Sequence, residues 1–98
     1  MISKDQAVAV IVEELKTSAA DAVAGKSASE IGLLVLVGQG TALDSLALIG
    51  VIAGVEAKLK ERHGLAITLF NEKAMVPESS PIRTVDAMAD SILAQARG

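Results

Sequence analysis

The sequence predicts a small all-α protein: an irregular four-helix bundle with a long loop between helices one and two and a short third helix. Three observations point there. The apolar residues make up 51 % of the chain and are almost all Ala, Val, Leu and Ile, with Phe70 the lone aromatic. Such residues suit closely packed helices, whereas a β-sandwich needs aromatic and β-branched residues in alternation. Three stretches repeat their apolar residues at the period of a helix rather than that of a strand. Finally, 98 residues with two prolines suit one domain around one modest core, so residues 1–98 are read as a single domain.

The first helix carries Val8, Ile11, Val12 and Leu15 on one stripe, continued by Ala19, Ala22 and Val23. Ser3 is its expected N-cap, and Asp5 lies in the first turn, where the helix dipole favours a negative charge. Gly25 ends the pattern, and Gly25 to Glu30 reads as polar loop. Ile31 to Val37 is a short apolar run that periodicity alone assigns neither to a buried strand nor to an irregular segment. A lone strand has nothing to pair with, so an extended or turn-like loop packed on the core is expected. The whole loop, roughly seventeen residues, is longer than a bundle usually tolerates without a reason.

Helix two is expected to begin between Thr41 and Ser45 and to end near His63. Leu48, Ile52, Val55 and Leu59 form its stripe, which Ile49 and Val51 widen, so this helix is expected to be central. Arg62 and His63 fall in the last turn, and Gly64 fits the left-handed position after it. Leu65 to Phe70 reads as an apolar connector. Asn71 to Val76 is expected to make one or two helical turns, stopped by Pro77. The last helix starts near Thr84 and aligns Val85, Met88, Ala89, Ile92, Leu93 and Ala96.

Composition excludes several functions. The longest charge-free apolar helical stretch, Leu46 to Val55, is about half of what a bilayer requires. The N-terminus has no apolar h-region, so a cytoplasmic protein is expected. Without cysteine there is no disulfide, thiolate nucleophile or ordinary zinc site. A net charge of −3 with no dense basic cluster argues against nucleic acid. His63 is the only histidine, which removes most acid–base constellations.

The segment Gly40-Thr41-Ala42-Leu43-Asp44-Ser45-Leu46-Ala47-Leu48 places a serine at the N-terminus of helix two. There, unpaired N–H groups and the positive dipole end favour a phosphate. Asp44 either assists a divalent metal or caps the helix. On a plainer reading Thr41-x-x-Asp44 is a capping box, with Thr41 the N-cap and Ser45 an ordinary first-turn residue.

Asp44-Ser45-Leu46 resembles the Asp-Ser-Leu attachment motif of acyl and peptidyl carrier proteins. The likeness extends through Ala42 to Ile49, through Gly64-Leu65-Ala66-Ile67, and through Pro81 to Ala89 with its Thr84-Val85 helix start, and so covers roughly residues 3 to 96. The resemblance implies a protein that is not itself an enzyme. Ser45 would accept 4′-phosphopantetheine from coenzyme A, with Asp44 and Leu46 as its recognition neighbours, and the arm's thiol would carry acyl or aminoacyl groups as thioesters. The implied partners are a phosphopantetheinyl transferase and acyl-loading ligase or synthase enzymes; no nucleic acid and no membrane span are implied, and the chain is expected to be a monomer. Thiol chemistry supplied by a cofactor is compatible with a chain that lacks cysteine.

One departure from that family stands out. Its second helix usually presents acidic residues soon after the serine, for docking basic enzymes. Here those places hold Ala47 and Gly50, the first acid in the helix is Glu56, and Lys58, Lys60 and Arg62 make the far end basic. This points to apolar docking and to a specialised carrier with a dedicated ligase or synthase. The alternative reading is an unmodified helical interaction module. Other signals are weak. Ala20-x-x-x-x-Gly25-Lys26-Ser27 fits a relaxed P-loop pattern, but a helix precedes it where a strand belongs. Ser45 as a hydrolytic nucleophile needs a base, and His63 lies about five helical turns away. Met75 and Met88 read as core.

Overall fold

The computed structural model describes residues 2–37, 43–69, 80 and 82–96, and over them the protein is all-α. Five helices are described: α1 (Lys4–Ser18), α2 (Ala20–Val23), α3 (Ala28–Gly32), α4 (Ser45–His63) and α5 (Val85–Ala96). The expected short helix at Asn71–Val76 lies outside the described residues. Among the described residues no helix is long and apolar enough to cross a membrane.

α1 starts where expected. Ser3 is an extended N-cap whose hydroxyl accepts from the Gln6 N–H, and the Gln6 side chain accepts in return from the Ser3 N–H. This reciprocal box satisfies two donors that the helix itself leaves unpaired. The stripe does not run unbroken to Val23. Ala19 leaves helical geometry at φ −152° and ψ 56°, and the chain restarts as α2. α1 packs against both α4 and α5, which makes it, rather than helix two, the helix shared by the two others. Its buried side is Ala7, Val10, Ile11, Glu14 and Leu15. These meet Leu48, Val51, Ile52, Val55 and Leu59 of α4 and Val85, Met88, Ala89 and Ile92 of α5 in a single core.

The stretch expected as loop contains a helix. Ser27 caps α3 through the Glu30 N–H, and the Glu30 carboxylate accepts from the Ser27 N–H, a second capping box. That bonding holds the Glu30 carboxyl below its ordinary range. The extended residues that follow are not alone either. Val35 forms an isolated antiparallel bridge with Thr84. The Leu36 N–H donates to the Arg83 carbonyl at 2.7 Å, and the Val85 N–H donates to the Leu34 carbonyl at 3.3 Å. Thr84 also starts α5, its hydroxyl accepting from the Ala87 N–H. The long loop is thus fastened to the start of the last helix, with Leu36 and Val37 buried.

α4 ends as the sequence predicts. Gly64 adopts φ 64°, and the Leu65 N–H reaches back to the Leu59 carbonyl, closing the helix with a left-handed cap. The connector beyond it buries Ile67 and Leu69. Gln95 of α5 holds both backbone groups of Thr68, and the Glu56 carboxylate of α4 accepts from the Leu69 N–H.

Candidate functional site

Asp44, and not Thr41, caps α4. Its backbone is extended (φ −77°, ψ 171°), and its Oδ1 accepts from the Ala47 N–H at 2.7 Å. The capping box with Thr41 as N-cap therefore does not form; Thr41 itself lies outside the described residues. The reason is reach. An aspartate one residue before the helix satisfies the third amide directly, which an aspartate inside the first turn cannot do.

The Leu48 N–H is the first to bond within the helix, to the Asp44 carbonyl at 3.0 Å. Ser45 and Leu46 supply the two amides that precede it and that Asp44 does not cap. Ser45 is the first residue of the helix. Leu46, next to it, is 80 % exposed. The three residues singled out in the sequence therefore stand together at one helix terminus, with the positive dipole end beside the serine. An open depression of about 330 Å³ adjoins them, lined by Ser18 to Ala22 of the α1–α2 junction with Leu43, Asp44 and Ala47.

The far end of α4 is different. Arg62 makes a two-pronged bond to the Glu13 carboxylate of α1, at 2.6 and 2.8 Å. Lys58 donates to Glu14 and also lies 3.6 Å from Glu13. The Arg62 bonds, reinforced by both cations, lower the Glu13 carboxyl to about 2. The bond that Lys58 donates to the Glu14 carboxylate raises Lys58 above its ordinary value. The basic end read from the sequence is thus largely engaged by α1, leaving Lys60 exposed and without an ion pair among the described residues. His63 closes the same continuous helix, about 27 Å from Ser45 at 1.5 Å per residue. Its position gives Ser45 no general base.

Two features were not found in the sequence. Ile49 does not widen the core stripe: it is 45 % exposed and, with Leu46, forms an apolar outer face. Glu14 is buried at 8 % exposure on a helix side that reads as core by period alone; the acid itself was the signal. Among the described residues no three His, Asp or Glu side chains gather to hold a metal ion. The Lys26-Ser27 pair of the relaxed P-loop pattern leads into α3, with Ser27 used as a cap. Comparison with protein-family models, curated proteins and solved structures finds no match.

Proposed function

We propose that this protein is a cytoplasmic carrier, not an enzyme, that holds acyl or aminoacyl groups as thioesters on a 4′-phosphopantetheine arm joined to Ser45. The observation that carries the reading is Asp44-Ser45-Leu46 at the start of a nineteen-residue helix, with Asp44 spent as the cap and Ser45 the first helical residue. The Ser45 hydroxyl is the acceptor. Its oxygen attacks the phosphorus bearing the pantetheine half of coenzyme A, the pyrophosphate bond breaks, and adenosine 3′,5′-bisphosphate leaves. A base on the separate transferase takes the hydroxyl proton. The resulting phosphodiester anion is favoured beside the Ser45 and Leu46 amides, which Asp44 does not cap, and the positive end of α4. The arm supplies a thiol to a chain that has none. With no acidic residue on the helix from Leu46 to Val55, the reading favours a dedicated loading ligase or synthase over a general fatty-acid system.

The absence of cysteine gives a clean test. After incubation with coenzyme A, Mg²⁺ and a broad-specificity phosphopantetheinyl transferase, the desalted protein should show one titratable thiol per chain. Ser45→Ala should show none. No thiol on the wild type with several transferases contradicts the reading. It then favours the second one, an unmodified interaction module, for which the exposure of Leu46 and Ile49 speaks.

A further inference from the structure

A depression of about 360 Å³ lies between the second half of α4 and the connector. Ala53 and Ala57 of α4 line it with Leu65 and Ile67 of the connector, and Lys60 is the lining residue farthest along the helix. Glu56 lines it too, but its carboxylate accepts from the Leu69 N–H. Lys60 is exposed and makes no hydrogen bond or ion pair among the described residues, so the cation is the charge left unengaged. The connector backbone is unengaged as well. The Leu65 N–H donates to the Leu59 carbonyl, that of Thr68 to Gln95 and that of Leu69 to Glu56, whereas among the described residues the Ala66 and Ile67 N–H groups donate to no acceptor. Ile67 is only 7 % exposed, and backbone N–H groups at buried positions are nearly always paired. Apolar walls edged by an unengaged ammonium and two unbonded amides have the chemistry of a carboxylate site.

Position along α4 says which carboxylate. Lys60 lies about 22 Å beyond Ser45 on the same continuous helix, at 1.5 Å per residue. An extended phosphopantetheine arm on Ser45 covers most of that length. Its thioester then falls beside Ala53 and Ala57, and the far end of a short acyl group falls beside Lys60. A depression this open holds a free small molecule weakly. A tether changes that, because a ligand on a short flexible linker is present at an effective concentration on the order of millimolar. A plain alkyl cargo would leave the ammonium and the two amides without a partner, and an aminoacyl cargo would bring a second cation to Lys60. An acyl group ending in a carboxylate answers all three groups.

We infer that the cargo on Ser45 is a short acyl group with a second carboxylate at its far end, held in this depression by Lys60 and the Ala66 and Ile67 amides. The inference rests on the carrier reading above. Its test loads the chain from glutaryl-coenzyme A or from pentanoyl-coenzyme A, cargoes of matched length that differ in the terminal carboxylate. The transfer step is the one described above, with the acyl group already on the thiol. In ¹H–¹⁵N correlation spectra at low salt, where exposed charge pairs are least screened, the Ala66 and Ile67 resonances should shift between the glutaryl and pentanoyl forms. Lys60→Gln removes an exposed side chain, should keep the wild-type circular dichroism, and should lose that difference. Lys60→Arg keeps the charge and should retain it. Glutaryl and pentanoyl spectra of the wild type that coincide at these two amides overturn the cargo site and leave the carrier reading standing; so does a difference that survives Lys60→Gln. A wild type on which no transferase places an arm, from coenzyme A or from either acyl form, overturns both.

Discussion

Gly50 and Gly54, one helical turn apart on α4, lie in opposite surroundings. A Cβ at Gly54 would lie 2.3 Å from the Glu14 carboxylate, so this glycine opens the notch through which Glu14 reaches Lys58. A Cβ at Gly50 would meet nothing among the described residues. Gly54 is explained by the fold, whereas among the described residues nothing near Gly50 calls for a glycine. The contrast extends to the two halves of the helix. The second half is tied to α1 by Glu13, Glu14, Lys58 and Arg62 and so serves structure. The first half begins at a terminus capped by Asp44 and exposes Leu46 and Ile49.

The comparison is most sharply tested by two isoleucines three residues apart. Ile52 is 2 % exposed and Ile49 is 45 % exposed. Truncating a buried isoleucine leaves a cavity and costs about 2–5 kcal/mol, whereas surface changes usually stay within about 0.5 kcal/mol. Chemical denaturation should therefore show a large stability loss for Ile52→Ala and almost none for Ile49→Ala. Equal losses would mean that Ile49 belongs to the core after all.

The glycines themselves give a smaller effect with opposite signs. At Gly50 alanine gains the helix preference of about 1 kcal/mol with no clash, so Gly50→Ala should raise the melting temperature. At Gly54 the new methyl must push Glu14 away from Lys58; overpacking of this kind costs about 1–3 kcal/mol. Gly54→Ala should therefore melt lower than wild type. Two variants that shift in the same direction would erase the distinction between the glycines.

The ion pairs give the smallest effect, one that depends on pH. The folded-state value of Glu13 lies below the ordinary one, so its contribution is present at neutral pH. It is lost as pH falls from about 4.5 through about 2. Lys58, shifted upward, contributes at neutral pH and loses its contribution only as pH rises beyond its ordinary 10.5. Carboxyl resonances followed by NMR should place Glu13 well below a normal glutamate, and Arg62→Gln should return it most of the way. An ordinary Glu13 titration in the wild type would mean that the two-pronged bond does not form in solution.

The parts of this architecture legible in the sequence are those decided locally. Ser3 with Gln6, Asp44 before an apolar run, and Gly64 after Arg62 and His63 fix helix ends through bonds that span a few residues. Ser27-x-x-Glu30 is a signal of the same kind and was available for α3. What was not legible depends on distant partners. Val35 finds Thr84, and Glu13 and Glu14 find Arg62 and Lys58, across forty-four or more residues. Ile49 was misplaced for another reason. With Ala47, Gly50, Ala53, Gly54 and Ala57 around α4, small residues on every side blur the edge of the apolar stripe. The candidate site was legible as a motif. Its apolar outer residues Leu46 and Ile49 stood out only when Lys58 and Arg62 were seen to be bonded to α1, with Lys60 left exposed.

The central claim is that Ser45 takes a phosphopantetheine arm, and peptide mass mapping tests it most directly. Trypsin should release residues 27–58 as one peptide holding Ser45. After reaction with coenzyme A, Mg²⁺ and the transferase, that peptide should gain the mass of one phosphopantetheine group. Fragmentation should place the gain on Ser45, and Ser45→Ala should lack it. A peptide of unchanged mass, or a gain on Ser27, Ser29 or Thr41 instead, would contradict the account.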